Sequence, residues 1–278
     1  MSQNDIGYTS LQANALDSIK RHFNSTLNAV HTTPCHYEPE RREGVAILCY
    51  RKVAFTLAEV LITLGIIGVV AALTIPTLMQ KTNERETVSK VKKMFSVLTN
   101  AYSNYKVDNE NNFGEFEMGE EGSTGVFNMF KPYLNIAKNC GTGETDCMFN
   151  GAYSYKNGSI QPQSLGPADY AYKAILSDGS LLIFRGNPTG DHSPVYHIFY
   201  DVNGEKGPNS WGKDYFEFDV LKDKIIPAGV PESNDPFDEH CASDNSEGWG
   251  CAAWIIYKDN LDYLKCNDLS WNGKQKCD

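Results

Sequence analysis

Residues 53–79 read VAFTLAEVLITLGIIGVVAALTIPTLM, and the only charge among them is Glu59. An apolar run of this length crosses a bilayer as a helix, which takes about 20 residues. Arg51 and Lys52 stand immediately before it. Lys and Arg favour the cytoplasmic flank, so that end is expected inside and the rest of the chain outside. A secretory signal peptide would be shorter and would stop at a small-residue cleavage site. Ala71 and Ala72 offer only a weak site of that kind, and Leu73 onward stays apolar. A plain anchor, for its part, leaves Glu59 unexplained. A carboxylate in a membrane helix costs roughly 2.5–3.5 kcal/mol at the bilayer centre, so its presence points to a use. Its natural partner is a cation at the same depth. Cleavage before Phe55 would create one, a new α-amino group four residues away.

The flanks differ in charge. Before Phe55 there are six basic and five acidic residues; after Ala54 there are 19 basic and 30 acidic. The whole chain of 278 residues carries a net charge of -10, which leaves no basic patch for nucleic acid. Residues 1–50 are polar and irregular, without a core pattern. They read as a leader to be removed, or as a translation start placed too early, in which case Cys35 and Cys49 never enter the protein.

Beyond Pro76 the periodicity changes. Val88, Val91, Phe95, Leu98, Tyr102 and Tyr105 recur at alternating spacings of three and four. That is the apolar stripe of an amphipathic helix, with Lys90, Lys92 and Lys93 off it. Asn109, Asn111, Asn112 and Gly114 end the pattern. One helix is therefore expected over 56–110, with Pro76 bending it near the membrane surface. Gly65, Gly68, Ala71 and Ala72 are small residues that permit close approach of another helix.

Residues 113–278 read as an α+β head. Loops and one short helix around 124–138 are expected first. YAYKAIL (170–176), the turn Asp178-Gly179 and SLLIFR (180–185) form a β-hairpin pattern. VYHIFYDV (195–202), YFEFDVL (215–221) and AAWIIY (252–257) are the further expected strands. A helix followed by a small antiparallel sheet is an α+β arrangement.

Six cysteines follow the apolar segment: Cys140, Cys147, Cys241, Cys251, Cys266 and Cys277. An even set beyond a membrane span points to disulfides in an oxidising compartment. Fifteen pairings are open. The neighbouring pairs 140–147, 241–251 and 266–277 close the shortest loops. No C-x-x-C occurs, and the spacings fit zinc poorly.

Between two expected strands lies DVNGEKGPNSWGKD (201–214). Asp201, Asn203, Glu205 and Asp214 offer oxygen ligands around glycines, as at the opening of a calcium loop, without the closing bidentate Glu. The competing reading is a turn held by Asx hydrogen bonds. The sequence shows no phosphate-binding loop, no G-x-S-x-G and no H-E-x-x-H, and His192, His197 and His240 are the only histidines after Ala54. Catalysis is not expected.

The run KVAFTLAEVLITLGIIGVVAALTIP resembles the prepilin-type signal of type IV pilins and type II secretion pseudopilins. The resemblance implies a basic leader, residues 1–54, removed on the cytoplasmic side by a prepilin peptidase and N-methyltransferase. Cleavage falls between Ala54 and Phe55, with N-methylation of Phe55; Ala54 replaces the more usual Gly of that family. Glu59 would guide assembly, and Pro76 would kink the spine helix of residues 55–112. The head, residues 113–278, would lie in the periplasm or outside the cell, on a single-pass anchor in a bacterial inner membrane. The partners implied are the lipid bilayer, other pilin or pseudopilin subunits and an inner-membrane assembly platform. Pseudopilin heads often carry calcium, which favours the calcium reading of residues 201–214. Two alternatives remain open: a minor pilin with a ligand-binding or adhesive head, and a solitary anchored periplasmic protein using a pilin-type signal.

Overall fold

A computed structural model of the chain describes residues 56–110, 120–143, 147–161, 170–186 and 196–277. The first helix, α1, spans Leu57–Asp108 and contains Pro76. The chain divides into two compact units, with the boundary between Thr77 and Leu78. The C-terminal part of α1 therefore belongs with the head.

In the first unit the described residues from Leu57 onward are helical, and none of them is buried. Leu61, Ile62, Ile66, Ile67, Val69 and Leu73 are each more than half exposed. An apolar surface left open along a helix is what lipid or other apolar helices would cover. Among the described residues α1 is the one helix long and apolar enough to cross a membrane.

In the second unit α1 turns amphipathic, and the periodicity explains which side chains are buried. Val91, Met94, Leu98, Ala101 and Tyr102 are buried, while Val88, Phe95 and Tyr105 are partly buried against the same core. The short helix α2 (Glu120–Phe130) adds Val126, Phe127, Met129 and Phe130 to it. A six-stranded sheet supplies the other layer: β1 (Ile136–Gly141), β2 (Tyr172–Leu176), β3 (Leu181–Gly186), β4 (Tyr196–Asp201), β5 (Tyr215–Val220) and β6 (Ile225–Pro227). The strands are antiparallel and neighbour one another in chain order, a simple meander.

Strand alternation sorts the sheet's two faces. Leu182, Phe184, Tyr196, Ile198, Tyr200, Phe216, Phe218 and Val220 share the core with α1 and α2. Leu181, Ile183, Phe199 and Tyr215 face the other way, packing with Trp211, Tyr153 and Tyr155. At one rim β1 is broken by two register shifts against β2, and Lys138 on it is exposed. At the other rim β6 has three residues and ends at Pro227.

Several expectations are met. The four strands read between 170 and 221 form, and Gly179 takes the left-handed conformation (φ 84°) that the hairpin turn between β2 and β3 requires. The three neighbouring cysteine pairs form disulfides, 140–147, 241–251 and 266–277. One expectation fails. AAWIIY is helix α4 (Ala252–Lys258), not a strand, after the four-residue helix α3 (Phe237–His240). Ala252, Ala253, Trp254 and Ile255 are all buried, so a continuous apolar run carries no periodicity with which to choose. Asp259, in the left-handed region (φ 59°), closes α4 with its N–H on the Ile255 carbonyl. The short helix of the head lies at 120–130 rather than 124–138, because residues 136–141 leave it as β1.

Candidate functional site

The start of α1 is built by its own sequence. The Glu59 N–H donates to Thr56 Oγ1 (3.2 Å), and the Glu59 carboxylate accepts from the Thr56 N–H and hydroxyl, both at 2.9 Å. This reciprocal Thr-x-x-Glu pairing is a capping box, satisfying donors that the first turn of a helix leaves without partners. Glu59 is thus folded back toward the helix start. Ala54 and Phe55 lie outside the described residues.

Along the span the hydroxyls are also satisfied locally. Thr63 donates to the Glu59 and Val60 carbonyls, Thr74 to Val70 and Thr77 to Thr74, each at 2.9 Å. Such back-bonding lets a hydroxyl enter an apolar medium without an unmet donor. A Cβ placed on Gly65 or Gly68 would meet nothing within 4 Å, so both leave open space on the helix surface. Pro76 lies inside α1, where its missing N–H removes one helical hydrogen bond.

The loop 201–214 is tied by hydrogen bonds. Buried Asp201 accepts the N–H groups of Asn203 (3.2 Å) and Gly204 (2.9 Å) on one oxygen. Its other oxygen accepts the Tyr153 hydroxyl (2.9 Å) and the Asn209 amide (2.6 Å). Asp214 accepts the Ser210 N–H at 2.5 Å. Glu205 is turned outward, 3.9 Å from Lys138 Nζ. Of the four residues read as calcium ligands, Asp201 and Asp214 come near each other, but the Asp201 lone pairs are engaged by protein donors. Glu205 does not join them. Burial pushes the Asp201 carboxyl up to about 7, against its hydrogen bonds, and Asp214 up to about 6.

A second polar group lies on the sheet face away from α1. Register sets His197 of β4 opposite Asp219 of β5, and Phe199 opposite Glu217. His197 Nδ1 lies 2.5 Å from Glu217 Oε1 and 3.2 Å from Asp219 Oδ1. Burial acts to lower the His197 pKa, but the Glu217 charge and the hydrogen bonds of Asp219 and Glu217 outweigh it and raise it. Burial raises the Glu217 carboxyl, opposed by His197. Sequence reasoning set His197 aside because its five-residue spacing from His192 near a strand start is a poor ligand geometry, which reads as a surface or packing residue. The signal lay in strand parity: His197, Glu217 and Asp219 all fall on one face once β4 and β5 are paired.

A cavity of about 550 Å³ runs beside α1, lined by Glu84, Arg85, Lys92, Asp259 and Lys265 among others. Lys92 pairs with Asp259 and Lys265 with Glu84, so much of its charge is already neutralised.

Comparison of the chain with protein-family models, curated proteins and solved structures returns no match. The functional reading therefore stands on the residues themselves.

Proposed function

We propose that the chain is a prepilin-like subunit, cleaved before Phe55 and built through its N-terminal helix into a type IV pilus or type II secretion pseudopilus. One observation carries the reading. The described helix from residue 57 to residue 77 is apolar and open along its length, and its single carboxylate sits in the first turn, directly after the cleavage signal. An apolar helix with no internal partner needs lipid before assembly and other helices after it. The three disulfides suit a head exported to an oxidising compartment.

The deciding experiment is mass spectrometry of the protein purified from its native host. The expected N-terminus is N-methyl-Phe55. An intact residue 1–54 segment, or a mature start near Leu73, sinks the proposal.

A further inference from the structure

His197, Glu217 and Asp219 each offer one ligating atom, and the three atoms lie within 4.8 Å of one another. We propose that these side chains bind one divalent transition-metal ion, with His197 Nδ1, Glu217 Oε1 and Asp219 Oδ1 as its protein ligands. The proposal is independent of the filament reading.

The first support is geometric. Two ligands held at about 2.0–2.1 Å around a tetrahedral ion stand about 3.3 Å apart. The His197–Asp219 separation of 3.2 Å already has that value. The His197–Glu217 separation of 2.5 Å needs to open by less than an ångström. All three residues project from the paired strands β4 and β5 near the middle of the sheet, and ligands on rigid strands hold their positions better than ligands on loops.

The second support is the surrounding shell. The other Asp219 oxygen, Oδ2, accepts the Ser233 hydroxyl at 3.0 Å, and Ser233 Oγ in turn accepts the Asp235 N–H at 3.1 Å. This fixes the carboxylate and leaves Oδ1 facing His197 Nδ1 at 3.2 Å. Outer partners of this kind orient metal-ligating side chains. The His197 ring stacks on Phe199, with centroids 6.1 Å apart and planes 8° from parallel.

The third support is charge. Glu217 and Asp219 are buried, and Asp235 is close enough for its charge to act on Glu217. His240 Nδ1 lies 3.7 Å from both Asp235 and Glu247. Arg185 stands beside His197 on β3, with its guanidinium over the Tyr170 ring. The Arg185 guanidinium and one imidazolium against three carboxylates still leave negative charge in a low-dielectric place, whereas a divalent ion with neutral imidazole balances it more fully. A nitrogen with two carboxylate oxygens suits a first-row transition ion rather than calcium. The His197 side chain is 13 % exposed, which gives the ion an approach.

The test uses the full chain in detergent, with His22, His31 and His36 changed to Ala and Cys35 and Cys49 to Ser, so that residues 1–54 offer no histidine or cysteine ligand. Metal-free protein is titrated with zinc by calorimetry. One zinc ion per chain is expected. His197→Gln and Asp219→Asn should each lose that ion, and Ser233→Ala, which keeps all three ligands, should weaken binding by about tenfold to a hundredfold. No zinc bound by the parent protein overturns the proposal without recourse to any variant. Zinc retained at full affinity in His197→Gln overturns it as well, since the ion would then lie elsewhere.

Discussion

Glu59 serves two physical purposes that substitution can separate. Its carboxylate closes the capping box with Thr56, and it is the one charge in the apolar span. Gln at the same position keeps the capping hydrogen bonds, because the box accepts Glu or Gln. Ala removes both cap and charge. If the charge answers the α-amino group of a neighbouring Phe55, Glu59→Gln and Glu59→Ala both block filament incorporation while both still insert in the membrane. Breaking such a buried pair costs about 3–5 kcal/mol, far more than the roughly 0.5–2 kcal/mol of a lost cap. Sheared filaments compared with membrane fractions, in cells lacking the wild-type subunit, check this. Normal assembly of Glu59→Gln would assign the residue to helix capping alone. Asp201 gives a second prediction at this scale. Its folded pKa, about 7, lies above its unfolded value near 4. The stability this represents is fully present below pH 4 and is lost as pH rises through 7. Asp214, raised to about 6, acts in the same direction. From pH 5 to pH 8 the head is therefore expected to lose stability, on the order of 2–4 kcal/mol from Asp201. Asp201→Asn should flatten the dependence of melting temperature on pH over that window, and a slope unchanged from wild type would refute the assignment.

At the scale of elements, the C-terminal part of α1 is a core element of the head. Leu98 is fully buried among α1, α2 and the sheet, whereas Lys93 is largely exposed. Leu98→Ala should cost about 2–5 kcal/mol. Lys93→Ala should change stability by no more than about 0.5 kcal/mol. Chemical denaturation of the two variants checks the contrast, and equal effects would mean that this stripe does not pack on the sheet. The elements also show what the sequence could reveal. The 3–4 spacing from Val88 to Tyr105 and the alternation at 215–221 each select one face, so helix and strand were legible. AAWIIY selects no face, since its apolar residues are contiguous, and only packing decides it. β1 was missed because IAKNCG carries little of the alternation expected of a strand and is half open to solvent. β6 is too short to show a period at all.

For the whole molecule, the legible and illegible parts divide by range. The membrane-length helix is written within one short stretch of chain and could be read there, whereas the cysteines left fifteen pairings open until the fold joined neighbours. The polar group at His197 depends on pairing two strands twenty residues apart in the correct register, because a slip of one residue would send Glu217 and Asp219 to the opposite face. Likewise one Asp201 hydrogen bond comes from Tyr153, 48 residues away, a partner that no local reading of the loop could supply. One feature of the sheet bears on how heads can meet. A meander leaves two outer strands with unpaired backbone groups, the usual template for amyloid-like stacking. Here one outer strand is kinked twice and carries the Lys138 charge, and the other is cut to three residues and stopped by a proline. Both rims thus resist strand addition, so a crowded array of these heads can join through side chains without seeding a continuous cross-β fibre.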